Sequence, residues 1–280
     1  MRNVVLGLAV LGLCFIASTA CADGNDANTV LLLHFDGADG SHNFIDNSFA
    51  GGHAVSPYGN DQVDAAQKKF GTGSLLLDGT GDYLSVPDDA DWVLGDIFTL
   101  DTWIRFNALP SDWEKMVLCS QYQNNNNYWH FAVNNEGGLL NLNIKFINQN
   151  NGSTWGSIPA IVPLAVDMWY HMAFVGDESN FRIFLDGNIV SENTSAPDIG
   201  DYAADFNIGH HDYPSHIDFN GWIDEFRVSQ DVARWTSTFT VPTEPYSPNY
   251  NTAPPIPEPA TMTLLGSGLL GLAGLRRRKR

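Results

Sequence analysis

The chain has 280 residues, with 14 Lys and Arg against 32 Asp and Glu, and carries a formal net charge of −18. That balance argues against nucleic-acid binding, which needs Lys and Arg clustered at phosphates. Of three cysteines, Cys14 and Cys21 lie near the N-terminus and Cys119 stands alone in the body, which excludes an intrachain disulfide there and a metal-binding cysteine cluster.

The chain opens with Met1-Arg2-Asn3, an apolar run from Val4 to Ala17, and Ala20-Cys21-Ala22. A basic start, a short apolar stretch and a small-x-small site read as a secretory signal peptide over residues 1–22, cleaved after Ala22. The run is shorter than the roughly 20 residues a bilayer span needs. A buried N-terminal helix is one alternative. Lipidation of Cys21 is another, against which stands Ser18 where such sites usually carry Leu. Removing the two ends takes Arg2 and the five terminal bases away, so the body, residues 23–247, is more acidic than the whole chain. It is long enough for one large β-sandwich.

Strand signals recur along this body between Gly, Asn, Asp and Pro. Thr29 to Phe35 is the first. Asp61 to Lys69 is the one stretch that allows a short helix. Ser74–Leu77 and Tyr83–Val86 flank the turn-rich Asp78-Gly79-Thr80-Gly81-Asp82. Phe98, Leu100, Thr102, Ile104 and Phe106 alternate with Asp101 and Arg105, the period of a half-buried strand. Met116 to Cys119 reads as a buried strand with Cys119 as a small hydrophobe rather than a nucleophile. Trp169 to Val175 is another strand. Phe181–Leu185, Asp186-Gly187-Asn188 and Ile189-Val190 form a hairpin whose Asp-Gly pair suits positive φ. Phe206–Ile208 and Trp222–Val228 complete the set. The fold class is all-β, a two-sheet antiparallel sandwich or jelly roll.

The strand at Trp222 carries an anomaly. Strict alternation puts Asp224 beside Trp222, Phe226 and Val228, with Ile223, Glu225 and Arg227 opposite. Either a carboxylate sits among apolar groups, or a bulge at Asp224-Glu225 breaks the register. A buried carboxylate needs an Arg, a set of backbone amides or a metal.

Residues 248–256 are a Pro-rich linker. Pro257-Glu258-Pro259, an apolar Gly- and Leu-rich stretch from Ala260 to Leu275, and Arg276-Arg277-Arg278-Lys279-Arg280 follow. A short apolar helix ahead of five bases is a stop-transfer arrangement. These three parts resemble the PEP-CTERM sorting signal of Gram-negative bacteria that make exopolysaccharide or biofilm matrix. The resemblance implies recognition and removal of the tail by a membrane-embedded, exosortase-type cysteine protease, with the protein at the cell surface or outside the cell. A permanent membrane anchor is the alternative.

The body resembles the LamG-like jelly rolls of the concanavalin A-like lectin and glucanase superfamily. The residues that carry this are Phe70-Gly71-Thr72-Gly73-Ser74-Leu75-Leu76-Leu77-Asp78-Gly79, Phe98 to Ile104, Trp169-Tyr170-His171-Met172-Ala173, Phe184-Leu185-Asp186-Gly187, Phe219 to Val228, and Ala233-Arg234-Trp235-Thr236 with Phe239 and Pro242. It is specific for fold and weak for function, because this fold hosts lectins, hydrolases, adhesion modules and spacers. Many relatives carry a disulfide that this chain lacks.

Relatives that hydrolyse glucans place acids in a Glu-x-Asp-x-x-Glu pattern. Centred on Asp224, this chain has Trp222 and Arg227 at the flanks, so the catalytic pair of a retaining mechanism is absent there. No catalytic residue is assigned. Jelly-roll relatives often hold one structural calcium between an early loop and the closing strand, which implies Asp36, Asp46 and Asp224 as ligands; turn chemistry is the competing account of Asp36 and Asp46. His210-His211-Asp212 with His216 suits a polar loop better than a transition metal. Sugars stack on aromatic rings while Asn, Asp and Gln bond their hydroxyls. On that basis Trp113, Tyr122, Tyr128, Trp129 and Trp155 are the candidate ligand-binding residues, with Tyr202 and Tyr213 in other loop-like stretches. The expected function is a non-enzymatic surface or extracellular-matrix protein that binds carbohydrate or matrix components. The alternatives are a structural matrix protein without a specific ligand, and a glycoside hydrolase or lyase.

Overall fold

The computed structural model describes residues 24–49, 51–150, 154–178, 180–194, 199–213 and 217–246. The signal peptide with Ala22 and the tail with Pro257, Glu258 and Pro259 lie outside them. The described chain is all-β. Its strands are β1 (Thr29–Leu33), β2 (Ser56–Tyr58), β3 (Gln62–Asp64), β4 (Ser74–Asp78), β5 (Tyr83–Val86), β6 (Ile97–Phe106), β7 (Lys115–Asn124), β8 (Asn127–Glu136), β9 (Leu139–Asn148), β10 (Thr154–Ile161), β11 (Trp169–Asp177), β12 (Asn180–Leu185), β13 (Asn188–Asn193), β14 (Phe206–Ile208) and β15 (Asn220–Gln230). A 3-10 turn at Ala90–Trp92 is the single helical element among the described residues.

Two antiparallel sheets face each other. The first runs β13-β12-β11-β6-β15-β4-β3, with β1 also paired to β15; the second runs β10-β9-β8-β7-β14-β5-β2. Alternation along each strand sends one row of side chains between the sheets. Leu100, Ile104, Phe174 and Ile183 come from the first sheet, and Trp129, Phe131, Val133, Ile144 and Phe206 from the second. The sequence's turn-rich 78–82 segment does not join neighbours: it carries the chain from β4 in the first sheet to β5 in the second.

The bulge alternative is the one realised in β15. Its register shifts between Asp224 and Arg227, and Glu225 takes φ 52° as the extra residue. The insertion lets both Ile223 and Phe226 reach the core and turns Asp224 and Arg227 to the outer side. It also lets one edge of β15 accept β4 before the bulge and β1 after it.

Two expectations are corrected. Asp61 to Lys69 is not a helix, because Gln62–Asp64 pairs with β4 as an edge strand and the chain then turns. β6 is buried on both faces rather than one. A C-terminal strap, residues 231–246, lies over the outer side of the first sheet. Trp235 and Phe239 stack at 4.0 Å and pack with Ala173, Val175 and Phe184. Beneath the strap, Arg227 donates through Nε to Asp101 Oδ1 at 2.8 Å, and its guanidinium lies 3.7 Å from the Tyr246 ring centre. The Tyr246 hydroxyl donates to Asp101. Burial alone would raise the Asp101 carboxyl, but Arg227 and His171 hold it down at about 2.

Candidate functional site

With the outer side of the first sheet covered by the strap, the outer face of the second is the broad polar surface among the described strands. The β7–β8 hairpin turns at Asn125 and Asn126, so Tyr122 faces Tyr128 and Ser120 faces His130 across the pair. β14 places Asn207 against Ser120, and the chain leaving it lays His210 to Tyr213 across the same face. Ser120 Oγ donates to His210 O at 2.7 Å and fixes that crossing.

The result is an aromatic group assembled from three segments. The Tyr122 ring centre lies 6.0 Å from Tyr128, 4.9 Å from His211 and 6.5 Å from Tyr213. Tyr128 lies 5.8 Å from His130 and 6.3 Å from Tyr213. Lys145 Nζ stands 5.7 Å from the Tyr128 ring centre. Tyr122 and Tyr213 are half-buried, while Tyr128, His130 and His211 form the floor. Burial, then the charges of Asp212, Tyr213 and Tyr128, push the Tyr122 phenol above its ordinary value. Burial, then Tyr213, does the same for Tyr128. Both phenols are therefore neutral donors at pH 7. A second group adjoins: Tyr58 stacks on Tyr83 at 4.5 Å, and Tyr83 on His210 at 4.4 Å. His210 is held by Asp218 at 2.5 Å and Asp212 at 3.1 Å, which raise its affinity for a proton against the opposing effect of burial.

Of the five expected ligand residues, Tyr122 and Tyr128 are brought together. Trp129 is a correction: it points the other way by strand alternation, is fully buried, and donates through Nε1 to Gln121 at 2.9 Å. Trp113 is exposed but follows β6 at the opposite end of β7, where its amide bonds Asn135 O. Trp155 occupies the same cross-strand row as Ile147, Tyr128 and Tyr122 in the backbone register. Tyr202 is core. His130 and Lys145 were missed, because a His or Lys inside a strand gives no sequence signal of which face it takes. His216 lies outside the described residues.

The three aspartates expected to hold calcium do not converge. Asp36 accepts from the Thr72 amide and hydroxyl, Asp46 from the amides of Leu32, Ser48 and His53, and Asp224 from the amides of Lys69 and Phe70. Calcium takes six to eight oxygens, and these residues do not fit such a cage. Burial pushes the Asp224 carboxyl well up, and amides at one of its oxygens offset this only in part. The group whose carboxylate and imidazole atoms do come close is His53, Asp89 and Asp91. His53 there clips Asp46, through Nδ1 at 3.0 Å, to Asp91, and its ring packs at a tilt of 48° against Trp92, with centres 4.7 Å apart. Cys119 is buried, and its thiol is pushed up by that burial, as a small core residue requires.

The chain belongs to the concanavalin A-like lectin/glucanases superfamily: that family's model matches residues 78–236, more than half the chain. The PEP-CTERM protein-sorting motif matches residues 255–279, which marks the protein for export and processing to the cell surface or extracellular space. No curated protein sequence matches. Among solved structures, domain 4 of AbnA, a GH43 extracellular arabinanase from Geobacillus stearothermophilus in complex with arabinotriose, is 18% identical with a TM-score of 0.51, over 64% of this chain and 82% of that one. The binding domain of botulinum neurotoxin DC in complex with rat synaptotagmin II is 16% identical with a TM-score of 0.55, over 73% and 48%. The same domain in complex with SialylT gives 15% and 0.54 over the same shares. The chain spans about half the length of those toxin domains, and at these identities the likeness is one of fold.

Proposed function

We propose that the exported protein is a non-enzymatic binding module that takes carbohydrate on the outer face of its second sheet. The observation that carries this reading is the group of Tyr122, Tyr128, Tyr213 and His211, with ring centres 4.9 to 6.5 Å apart on the sheet face that the strap leaves open. A sugar ring stacks its C–H face on such rings, and neutral phenols donate to its oxygens. The outward neighbours Ser120, His130, Asn143, Lys145 and Asn207 bring donors and acceptors, and the adjoining carboxylates of Asp212 and Asp218 are both engaged by His210, which favours binding over glycosidic cleavage. An arabinanase domain solved with arabinotriose and a toxin domain solved with SialylT share the fold and support the ligand class.

The test is a polysaccharide pull-down and glycan array with the full-length chain and its Tyr122→Ala and Tyr213→Ala variants. Each removed ring is expected to cost about 1 kcal/mol or more of stacking, a fivefold or greater loss of affinity. Equal binding by wild type and both variants, or no glycan bound by any, would move the structural matrix reading ahead.

A further inference from the structure

We propose a second ligand site at the opposite side of the molecule, a pocket between β1 and the end of the C-terminal strap that takes a single sugar residue, amino sugars included. The pocket has a volume of about 350 Å³; His34, Asp36, Phe44, Ile45, Pro245 and Tyr246 line it. It shares no residue with the aromatic face, so it stands or falls independently of that reading.

His34 carries the argument. It is 7% exposed, and its Nδ1 lies 2.8 Å from Glu225 Oε1, itself buried. The other Glu225 oxygen accepts from the Tyr246 amide at 3.0 Å. A carboxylate on Nδ1 holds a proton on that nitrogen, so Nε2 of the neutral ring keeps its lone pair. Nε2 is buried and has no hydrogen-bond partner. A buried acceptor left unmade is costly, so a partner that donates into it is favoured. The backbone on both sides of this pair is held in the left-handed region by residues other than glycine, Phe35 at φ 57° and Glu225 at φ 52°. Such geometry persists only where the surroundings enforce it.

The lining defines the ligand. The polar residues that line the pocket are His34, with its Nε2 lone pair, the Asp36 carboxylate and Asn47, whose amide both donates and accepts, and there is no Lys or Arg among them. An anion is repelled and a wholly apolar molecule leaves Nε2 unmet. Phe44 and Tyr246 offer ring walls, and Pro245 and Ile45 apolar edges. A ligand that is donor-rich on one side and apolar on a face is a sugar ring, and an amino group on it would meet Asp36.

The experiment follows the ring nitrogens of His34 by long-range proton–nitrogen NMR in the ¹⁵N-histidine-labelled full-length chain held in detergent. Glucose, galactose, arabinose and glucosamine are titrated to millimolar levels. At least one of them is expected to move the Nε2 resonance saturably. Ile45→Trp, an exposed rim position that fills the mouth, should weaken that sugar at least tenfold, while Tyr122→Ala on the other face should leave it within twofold. An Nε2 resonance that no sugar moves, as expected if water alone occupies the pocket, would overturn the proposal. So would a response that survives Ile45→Trp or disappears in Tyr122→Ala.

Discussion

Trp129 and Tyr128 are adjacent in sequence, yet one fills the core and the other forms the floor of the aromatic group. The difference is strand parity. Both residue types are compatible with either face, and the register shifts in β7 at 117–119 and 122–124 hide the parity from a sequence reading. Trp129→Ala is therefore expected to lose about 3–5 kcal/mol of stability in urea unfolding. Tyr122→Ala should lose less than about 1 kcal/mol while it weakens glycan binding. Asp224 gives the opposite kind of case. Its residue type and its need for a partner were legible, but the partner was not: backbone amides of Lys69 and Phe70 meet one of its oxygens. A carboxyl pushed up by burial loses stability as pH rises from about 3.8 towards its folded value. Asp224→Asn is thus expected to stabilise the protein at pH 7 by about 1–2 kcal/mol, with EDTA leaving the melting temperature of both proteins unchanged. Destabilisation of the variant, or of the wild type by EDTA, would show that the charge is matched by a cation.

At the scale of elements, the Asp186-Gly187 hairpin was readable because its turn chemistry is local. Asp186 and Gly187 take φ 49° and 76° and join β12 to β13. The same turn has a second task that local chemistry does not reveal. Gly187 O accepts from the Phe239 amide at 2.9 Å, and a Cβ on Gly187 would come within 2.1 Å of Phe239 O. Gly187→Ala therefore combines a left-handed φ, worth about 1–2 kcal/mol, with a clash that lifts the strap off β12. The expected outcome is faster amide exchange and easier proteolysis confined to residues 231–246. The residues of that strap were recognisable as a tail by resemblance. Its place over Ala173, Val175 and Phe184 was not, because it depends on which outward side chains are apolar, and β6 and β11 look half-buried when read alone. The short stretch at Asp61 failed for the converse reason. Pairing with β4 overrides the weak local preference of three residues.

For the molecule as a whole, acid is the informative stress. The chain is acidic, with a sequence pI of about 4.5, and beside Asp224 the groups Asp101, Asp218 and His210 set opposing slopes of stability against pH. Burial opposes the low pKa of Asp101, but Arg227 and His171 hold it at about 2 against an ordinary 3.8. Its contribution is complete above 3.8 and is lost as pH falls towards 2. Asp218, opposed by burial but lowered by His210 and the Gly81 amide, acts in the same direction in the same acidic range. His210, raised above 6.5 by Asp218 and Asp212 despite burial, contributes fully below 6.5 and less as pH rises beyond it. Melting temperature against pH should therefore fall on both sides, with a steep acid limb between about 4 and 2 that belongs mainly to the buried pair under the strap. Asp101→Asn tests that assignment by calorimetry across this range. The variant removes the carboxylate that faces Arg227 and is expected to lose about 3–5 kcal/mol at pH 7. Its remaining acid limb should be shallower than the wild type's. His210→Gln should leave the acid limb's Asp101 portion intact and flatten the decline above pH 6.5 instead. If Asp101→Asn retains the full wild-type slope below pH 4, acid sensitivity resides in the surface carboxylates, and the strap is held by its apolar contacts at Trp235 and Phe239 rather than by the ion pair beneath it.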